Sequence, residues 1–389
     1  LSSVANRDSI TQFFNGINNE TLQYYNERKE ISLFSRLMSA STETAATSTF
    51  LNNPYAIQRQ NVQSVEFRSS TTGLISNCAW DVSENQDGSI MAWYDGTGPY
   101  RVYIASDGLI YANPDSSYLF SYVGYATNCT DTTVVKNLNL LNTKFATKMD
   151  AMFNYTGYRS MTGLSLGDKF DTSNVTSMNR MFDNCGYTRM GSLNLGTAFD
   201  TTKVTSMSLM FRNCGYTAMT SMELGTKFNT SKVENMTSMF YYTGYTAMTT
   251  LNLGSNFDTT NVTDMRSMFN ETGFTAMTKL DLGDKFNTSK VTNMESMFMN
   301  TYVTSLDLSS FDTSNVINMV QMFYGTDSSV IYVSDKFVTD KVTNSSSMFT
   351  IATNLVGGAG TVYNSSNVDK TYARVDGGTS SPGYFTLKN

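Results

Sequence analysis

The sequence predicts an α+β repeat solenoid of the leucine-rich-repeat kind, with a strand and a short helix in each 25–29-residue unit. Three observations carry this. First, the dipeptide Met-Phe ends at Phe153, Phe182, Phe211, Phe240, Phe269 and Phe298, each 29 residues after the last, and Phe323 and Phe349 follow after 25 and 26. A fixed period of this size marks a chain whose units bury their apolar faces only against their neighbours. Second, each unit reads L-x-L-G-x-x-F-D/N-T-S/T-x-V-x-x-M-x-x-M-F, and in the longer copies C/T-G-Y/F-T-x-M follows after two variable residues. Third, methionine keeps the same beat. Fifteen Met fall in the two columns of the M-x-x-M-F segment, five more end the insert (Met161, Met190, Met219, Met248, Met277), and Met222 replaces a strand Leu. Flexible thioethers interleaved with aromatic rings at regular spacing fill a core and do not bind a cofactor.

Within one unit the roles follow from spacing. Leu193 and Leu195 alternate with polar residues, as a short strand with one inward face requires. Gly196 to Thr202 reads as a turn from which Phe199 dips into the core. Val204, Met207, Met210 and Phe211 then fall at i, i+3, i+6 and i+7, the spacing of one helix face, with Thr201 or Thr202 placed to cap it.

The other segments are taken in chain order. Residues 1–55 form an N-terminal segment whose Phe13, Phe14, Ile17, Phe34 and Leu37 are spaced for one or two amphipathic helices, followed by a Ser/Thr/Ala-rich linker or ordered crossing segment at 41–54. These five residues are candidate assembly contacts. Leu1 opens the chain, as expected where a leader has been removed or left out. Residues 56–136 alternate apolar and polar around Gln86-Asp87-Gly88, Asp95 to Pro99 and Asp107-Gly108, which predicts a β-meander cap. The solenoid proper, of about eight units, covers 137–349, and the Gly-, Ser- and Asn-rich 350–389 closes its far end.

The stretches "FDTSNVTSMNRMFDNCGYT", "FNTSKVENMTSMF" and "FDTSNVINMVQMF" resemble the BspA-type leucine-rich repeats of bacterial surface proteins. The preceding "WDVSENQDGSIMAWYDGTGPYRVYIASDGLIYANPDSSYLFSY" and the closing "YARVDGGTSSPGYFTLKN" resemble the segments that flank those repeats, so the likeness covers about 65–389. This chain departs from the pattern in its regular GYTAM-type insert and in a Cys column kept only at Cys185 and Cys214. The resemblance implies adhesion to an extracellular protein or glycan, at the cell surface or after secretion.

Composition narrows the chemistry. The chain has no His, which removes Ser–His and Cys–His nucleophiles and His-ligated zinc. Its net charge of −6 without a basic run argues against nucleic acid, and no apolar stretch reaches a membrane span. No catalytic residue, metal or cofactor is expected, and scattered Glu223, Glu234, Glu271 and Glu295 read as a solvated face. The four Cys form no CxxC pair. A bridge is expected between Cys78 and Cys129, which flank the meander. Cys185 and Cys214 lie one period apart and read as stacked buried thiols or as a bridge.

Candidate binding residues come from two places. The insert places Tyr158, Tyr187, Tyr216, Tyr245 and Phe274 in one column, which if exposed is a stacking platform for sugars or a protein partner and if buried an aromatic ladder. The two positions after each Met-Phe vary between copies, with Asp183-Asn184, Arg212-Asn213 and Tyr241-Tyr242 among them. Such positions are expected to be solvated and are where repeat proteins write their binding surfaces. The expected function is therefore a non-enzymatic surface protein mediating adhesion. The alternative is a subunit of an extracellular filament or layer, assembled from further copies through the N-terminal segment.

Overall fold

A computed structural model describes residues 35–388 of the chain. Phe13, Phe14, Ile17 and Phe34, with the helical segment they predict, lie outside the described residues. The described part is built from sixteen strands of two to seven residues and short 3-10 turns, and no α-helix occurs among the described residues.

Strand β1 (Ser35–Arg36) pairs in parallel with β6 (Ile110–Tyr111), which pairs in parallel with β8 (Leu141–Asn142). The chain between these strands forms the cap sheet. Its strands are β2 (Val62–Arg68), β3 (Ala79–Asp81), β4 (Met91–Asp95), β5 (Tyr100–Ala105) and β7 (Val135–Lys136), in the order β3-β4-β5-β2-β7. The meander holds for β3-β4-β5, which are antiparallel. It fails at β2, which lies between β5 and β7 and is parallel to both. The Asp107-Gly108 turn likewise makes no hairpin, because it sends the chain out of the cap and into the solenoid ladder.

The solenoid stacks β9 (Gly163–Ser165), β10 (Ser192–Asn194), β11 (Ser221–Glu223), β12 (Thr250–Asn252) and β13 (Lys279–Asp281) in one parallel sheet. Register follows the period, with Leu164 beside Leu193 and Met222 beside Leu251, itself beside Leu280. Where the period drops to 25 the sheet breaks. A second parallel sheet then runs β14 (Ser305–Leu308), β15 (Val330–Val333) and β16 (Phe385–Leu387). The last strand comes from the tail, so the C-terminal region adds a coil edge as well as a lid.

The M-x-x-M-F segment is the main correction to the sequence reading: it is not helical. Met178, Arg180, Phe182 and Asn184 donate their N–H groups to Ser206, Ser208, Met210 and Arg212 of the next coil at 2.7–3.2 Å. The residues between them close tight turns instead, Met181 N–H to the Met178 carbonyl and Asp183 N–H to that of Arg180. An α-helix would spend every N–H inside the coil, on the residue four back, and leave nothing to join coils. A run of turns also returns a side chain to the same face every three residues, which is why its apolar spacing reads as a helix. Its backbone cost is visible: Arg180 and Asn184 sit at φ 56° and 57°, and Ser238 and Ser267 at 54°. Left-handed φ tolerates Ser far better than a β-branched residue. Ser267→Val is therefore expected to lower stability by about 1–3 kcal/mol, with Ser267→Gly neutral or slightly stabilising, as a denaturant midpoint would show.

Inside the coils one continuous core runs from Leu37 to Phe385. Phe120, Phe153, Phe182, Phe211, Phe240, Phe269, Phe298, Phe323 and Phe349 stack one above another, 5.2–6.0 Å apart. This column shows a coil that the Met-Phe count misses. The Asp115 and Lys148 backbones form a parallel β-bridge, and Phe120 N–H donates to the Met152 carbonyl, so residues 110–125 form the first rung with Leu119-Phe120 in place of Met-Phe.

The threonines of the F-D/N-T motif do not cap helices. Thr172, Thr201, Thr230, Thr259, Thr288 and Thr313 are buried in a column. The Thr201 hydroxyl donates to the Asn229 carbonyl (2.8 Å) and accepts from the Asn229 N–H (2.7 Å), and Thr172, Thr259, Thr288 and Thr313 do the same one coil on. Each of these five hydroxyls thus satisfies two backbone groups that the turn would leave unpaired, while the Thr230 hydroxyl only donates, to the Asp258 carbonyl.

Both ends of the stack are covered. At the N-terminal end the buried Arg59 guanidinium pairs with Glu43 and donates to the carbonyls of Tyr118, Leu119 (2.8 Å) and Ser121 (2.9 Å), the open edge of the first coil. Residues 41–54 are therefore an ordered crossing segment, with Phe50 and Leu51 fully buried. Leu37, expected as an assembly contact, is also core at 0% exposure and bridges Ser83. At the far end Tyr384 and Phe385 pack edge-on against Phe349.

Candidate binding surface

The GYTAM insert forms the loop that returns each coil to its next strand. Gly186 takes φ 57° and its N–H donates to the Thr156 carbonyl one coil back (2.9 Å), while Met190 closes the loop onto the Gly186 carbonyl (3.1 Å). The aromatic ring between them is thereby held at the same height in every coil. Tyr158, Tyr187, Tyr216, Tyr245 and Phe274 stack with centroids 4.7, 4.5, 4.6 and 4.9 Å apart, and adjacent planes within 15° of parallel. Tyr125 extends the ladder before Tyr158 (5.3 Å), and Tyr302 closes it beyond Phe274 (4.4 Å). Tyr125 could have been found in "LFSYVGYATN", whose Gly-Tyr follows Leu119-Phe120 at the same offset as in the later units.

The rings are neither free platforms nor buried cores. Each is half-buried, its faces covered by the neighbours and its edge at the surface. Offset-stacked rings are favourable beyond their buried area. Burial pushes the Tyr158, Tyr216 and Tyr245 hydroxyls above their ordinary pKa, so they stay neutral donor–acceptors around pH 7. Tyr242 lies against the ladder, 6.0 Å from Tyr216 and 5.4 Å from Tyr245, with Tyr241 edge-on to it at 4.3 Å. A second short stack, Tyr122 on Tyr155 at 5.0 Å, lies beside the first rungs. One edge of the solenoid thus carries much of the chain's tyrosine.

The positions expected to be solvated are only partly so. Asp183 is 1% exposed at its side chain, and Arg212 of the next coil grips it through both guanidinium arms, at 2.8 and 2.6 Å. Burial raises the Asp183 carboxyl pKa against the opposing pull of Arg212, and the hydrogen bonds that Arg212 donates to Asp183 raise that of Arg212. Asn213 donates to Asn184, and Asn184 to Asp183, so this patch is an inter-coil polar network. Register, not composition, turns Asp183 inward: it lands directly beneath Arg212, 29 residues on.

The cysteines hold no bridge; all four are free and buried. Cys78 leads into β3 at one edge of the cap sheet and Cys129 precedes β7 at the other, so the sheet lies between them. The Cys78 thiol donates to the Tyr94 carbonyl (3.1 Å). Cys185 and Cys214 are the stacked buried thiols, in the column where Thr243 and Thr272 instead donate their hydroxyls to Phe211 and Phe240 one coil back. Burial raises the Cys185 and Cys214 pKa values and keeps both protonated. Of the acidic residues, Glu223 and Glu234 are exposed, and Glu271 and Glu295 each accept from an Asn side chain of the next coil (3.1 Å). Among the described residues no helix is long and apolar enough to cross a membrane.

Short strands in parallel register, a fixed period and inter-coil ladders of Phe, Thr and Tyr define a repeat solenoid built from β-strands and turns. The chain belongs to the family described as "Mycoplasma protein of unknown function, DUF285", whose model matches at 123–247, 192–276, 216–327 and 243–362, together spanning 123–362. No curated protein and no solved structure matches the chain.

Proposed function

We propose that the chain is a non-enzymatic, BspA-like surface or secreted protein that adheres to an extracellular protein through its tyrosine edge. The observation that carries this is the ladder from Tyr158 to Phe274, four spacings of 4.5–4.9 Å. Stacking consumes the ring faces, so the edge offers a row of hydroxyls beside Tyr241, Tyr242 and Arg212 and leaves no flat platform for a sugar ring. Tyrosine and arginine are the residues that protein interfaces favour, because they present large area at low entropic cost. A rigid repeat of equal spacing also suits many weak contacts acting together. The covered ends of the stack favour this reading over a filament built end to end. That alternative now depends on residues 1–34.

The test is binding of the full chain to cultured epithelial cells and to extracellular-matrix proteins, compared with a Tyr187→Phe/Tyr216→Phe/Tyr245→Phe variant. Phenylalanine keeps the stack, as Phe274 does, and removes three hydroxyls. Losing three hydrogen bonds of about 1 kcal/mol each is expected to weaken binding at least about tenfold. Unchanged binding would sink the tyrosine edge as the docking surface. Fibres in sedimentation and negative stain that disappear on deleting 1–34 would replace adhesion with the filament reading.

A further inference from the structure

The solenoid carries a second feature away from the tyrosine edge. A cleft of about 620 Å3 opens where the cap meets the first coils. That is a usual volume for a small-ligand site. Its cap side is formed by Arg68, Ser69 and the turn that exposes Leu109, a large apolar side chain 49% open to solvent. Its solenoid side is formed by the residues that flank the buried Phe of each G-x-x-F turn.

Those positions fall in columns. The residue before the buried Phe is Lys169, Ala198 and Lys227 in successive coils, and all three line the cleft together with Lys144, which stands one coil earlier at the position Ser173 takes in the next unit. Alanine at the second leaves a notch between the Lys169 and Lys227 ammonium groups. None of the three lysines has a carboxylate within ion-pair distance among the described residues, and the Lys144 ammonium lies over the Phe145 ring at 5.6 Å. The aspartates of the same face are already engaged. Asp168 accepts from the Thr197 hydroxyl (3.0 Å), Asp171 from the Ser173 N–H (2.9 Å), and Asp200 from Thr202 through both N–H and hydroxyl. Arg68 is committed too, to Glu66 at 3.0 Å and over the Tyr103 ring at 3.9 Å. The cations left to meet a ligand are therefore the three lysines.

We infer that this cleft binds a sparsely charged acidic oligosaccharide, with ring carboxylates on Lys144, Lys169 and Lys227 and ring hydroxyls on the aspartates and on Asn139 and Asn142. The mixture of free ammonium groups and hydrogen-bonded carboxylates selects the class. A dense polyanion would be repelled by three aspartates spaced between the lysines. A nucleotide base would need an aromatic face, and no aromatic side chain lines the cleft. The exposed Leu109 beside Leu140 gives the C–H face of a sugar an apolar contact. Two coil steps at about 4.8 Å separate Lys169 from Lys227, and Lys144 lies on the coil before Lys169, which fits a short chain better than a single sugar. The site shares no residue with the tyrosine edge, so either can fail alone.

The experiment is calorimetric titration of the full chain with a tetrasaccharide alternating glucuronate and N-acetylglucosamine. Its carboxyl-reduced form and a highly sulfated oligosaccharide of equal length serve as comparisons. The acidic tetrasaccharide is expected to bind at least tenfold more tightly than the reduced form. That binding should fall at least tenfold in Lys144→Gln/Lys169→Gln/Lys227→Gln and stay intact in Lys285→Gln/Lys336→Gln, which changes the column of Lys169 and Lys227 outside the cleft. All five lysines are exposed, so these variants keep the fold. Equal binding of acidic and reduced sugars, absence of binding, or preference for the sulfated chain would each overturn the assignment.

Discussion

Arg212→Leu is expected to cost about 3–5 kcal/mol, the usual penalty for stranding one member of a buried ion pair. The carboxylate left behind is Asp183, 1% exposed and held by both guanidinium arms at 2.6 and 2.8 Å. Only Asn184 would still donate to it, at 2.7 Å. A chemical denaturation series would read the loss as a lower midpoint. Asp183→Asn/Arg212→Leu is expected to recover most of it, because the stranded charge is then absent. A double variant as unstable as the single one would mean that the loss comes from packing of the arginine stem.

The pH dependence has a definite sign. Burial raises the folded-state pKa of Asp183, and Arg212 opposes that shift. A carboxyl with a raised folded pKa binds its proton more readily folded than unfolded, so its stability contribution is present at low pH and lost as pH rises through the folded value. Removing Arg212 removes the opposition and raises the folded pKa further. The deficit of Arg212→Leu relative to the parent should therefore shrink as pH falls from 7 toward the unfolded carboxylate range near 4. A deficit that is flat or grows over that window would contradict the buried-charge account.

How much of this was legible in the sequence depends on whether a feature lives within one coil or between two. The strands, the Phe and Met columns and the insert ladder follow from a period that any copy repeats, and Leu193, Phe199, Met207 and Phe211 all lie inward as their spacing implies. The helix expectation failed because a turn chain and a helix share a three-residue apolar beat. Only the destination of the N–H groups separates them, and that is a property of two coils. The Asp183–Arg212 pair and the threonine ladder are inter-coil features for the same reason. They become readable once the copies are aligned at 29 residues and each residue is paired with its counterpart. The first rung escaped because Leu119-Phe120 replaces Met-Phe. The Cys78–Cys129 bridge failed because flanking a meander in sequence says nothing about which edge strand each Cys joins, and β2 entering the middle of the sheet set them at opposite edges. Of the candidate site, the column was legible but its half-buried state was not, since exposure depends on ring faces meeting across coils.

Gly186→Ala isolates the coil-to-coil packing that holds the tyrosine ladder. Gly186 adopts φ 57°, and a methyl group there would fall on the Cβ of Met190 and within 2.7 Å of its Sδ. Left-handed backbone alone costs a non-glycine residue about 1–2 kcal/mol, and overpacking a close-packed interior about 1–3 more, so a loss of roughly 2–5 kcal/mol is expected. Gly254 provides the internal control. It has φ 76° and open space around a would-be Cβ, so Gly254→Ala should lose only the backbone part, about 1–2 kcal/mol. Because Gly186 also sets the height of Tyr187 between Tyr158 and Tyr216, its substitution should lower the alkaline titration midpoints of Tyr158 and Tyr216. Their phenols lose part of the burial that now raises them. Gly254→Ala should leave those midpoints where they are. Equal losses of stability for the two substitutions would mean that the Met190 side chain moves aside without cost, and that the ladder is held by the strands and not by the Gly–Met closure of each insert.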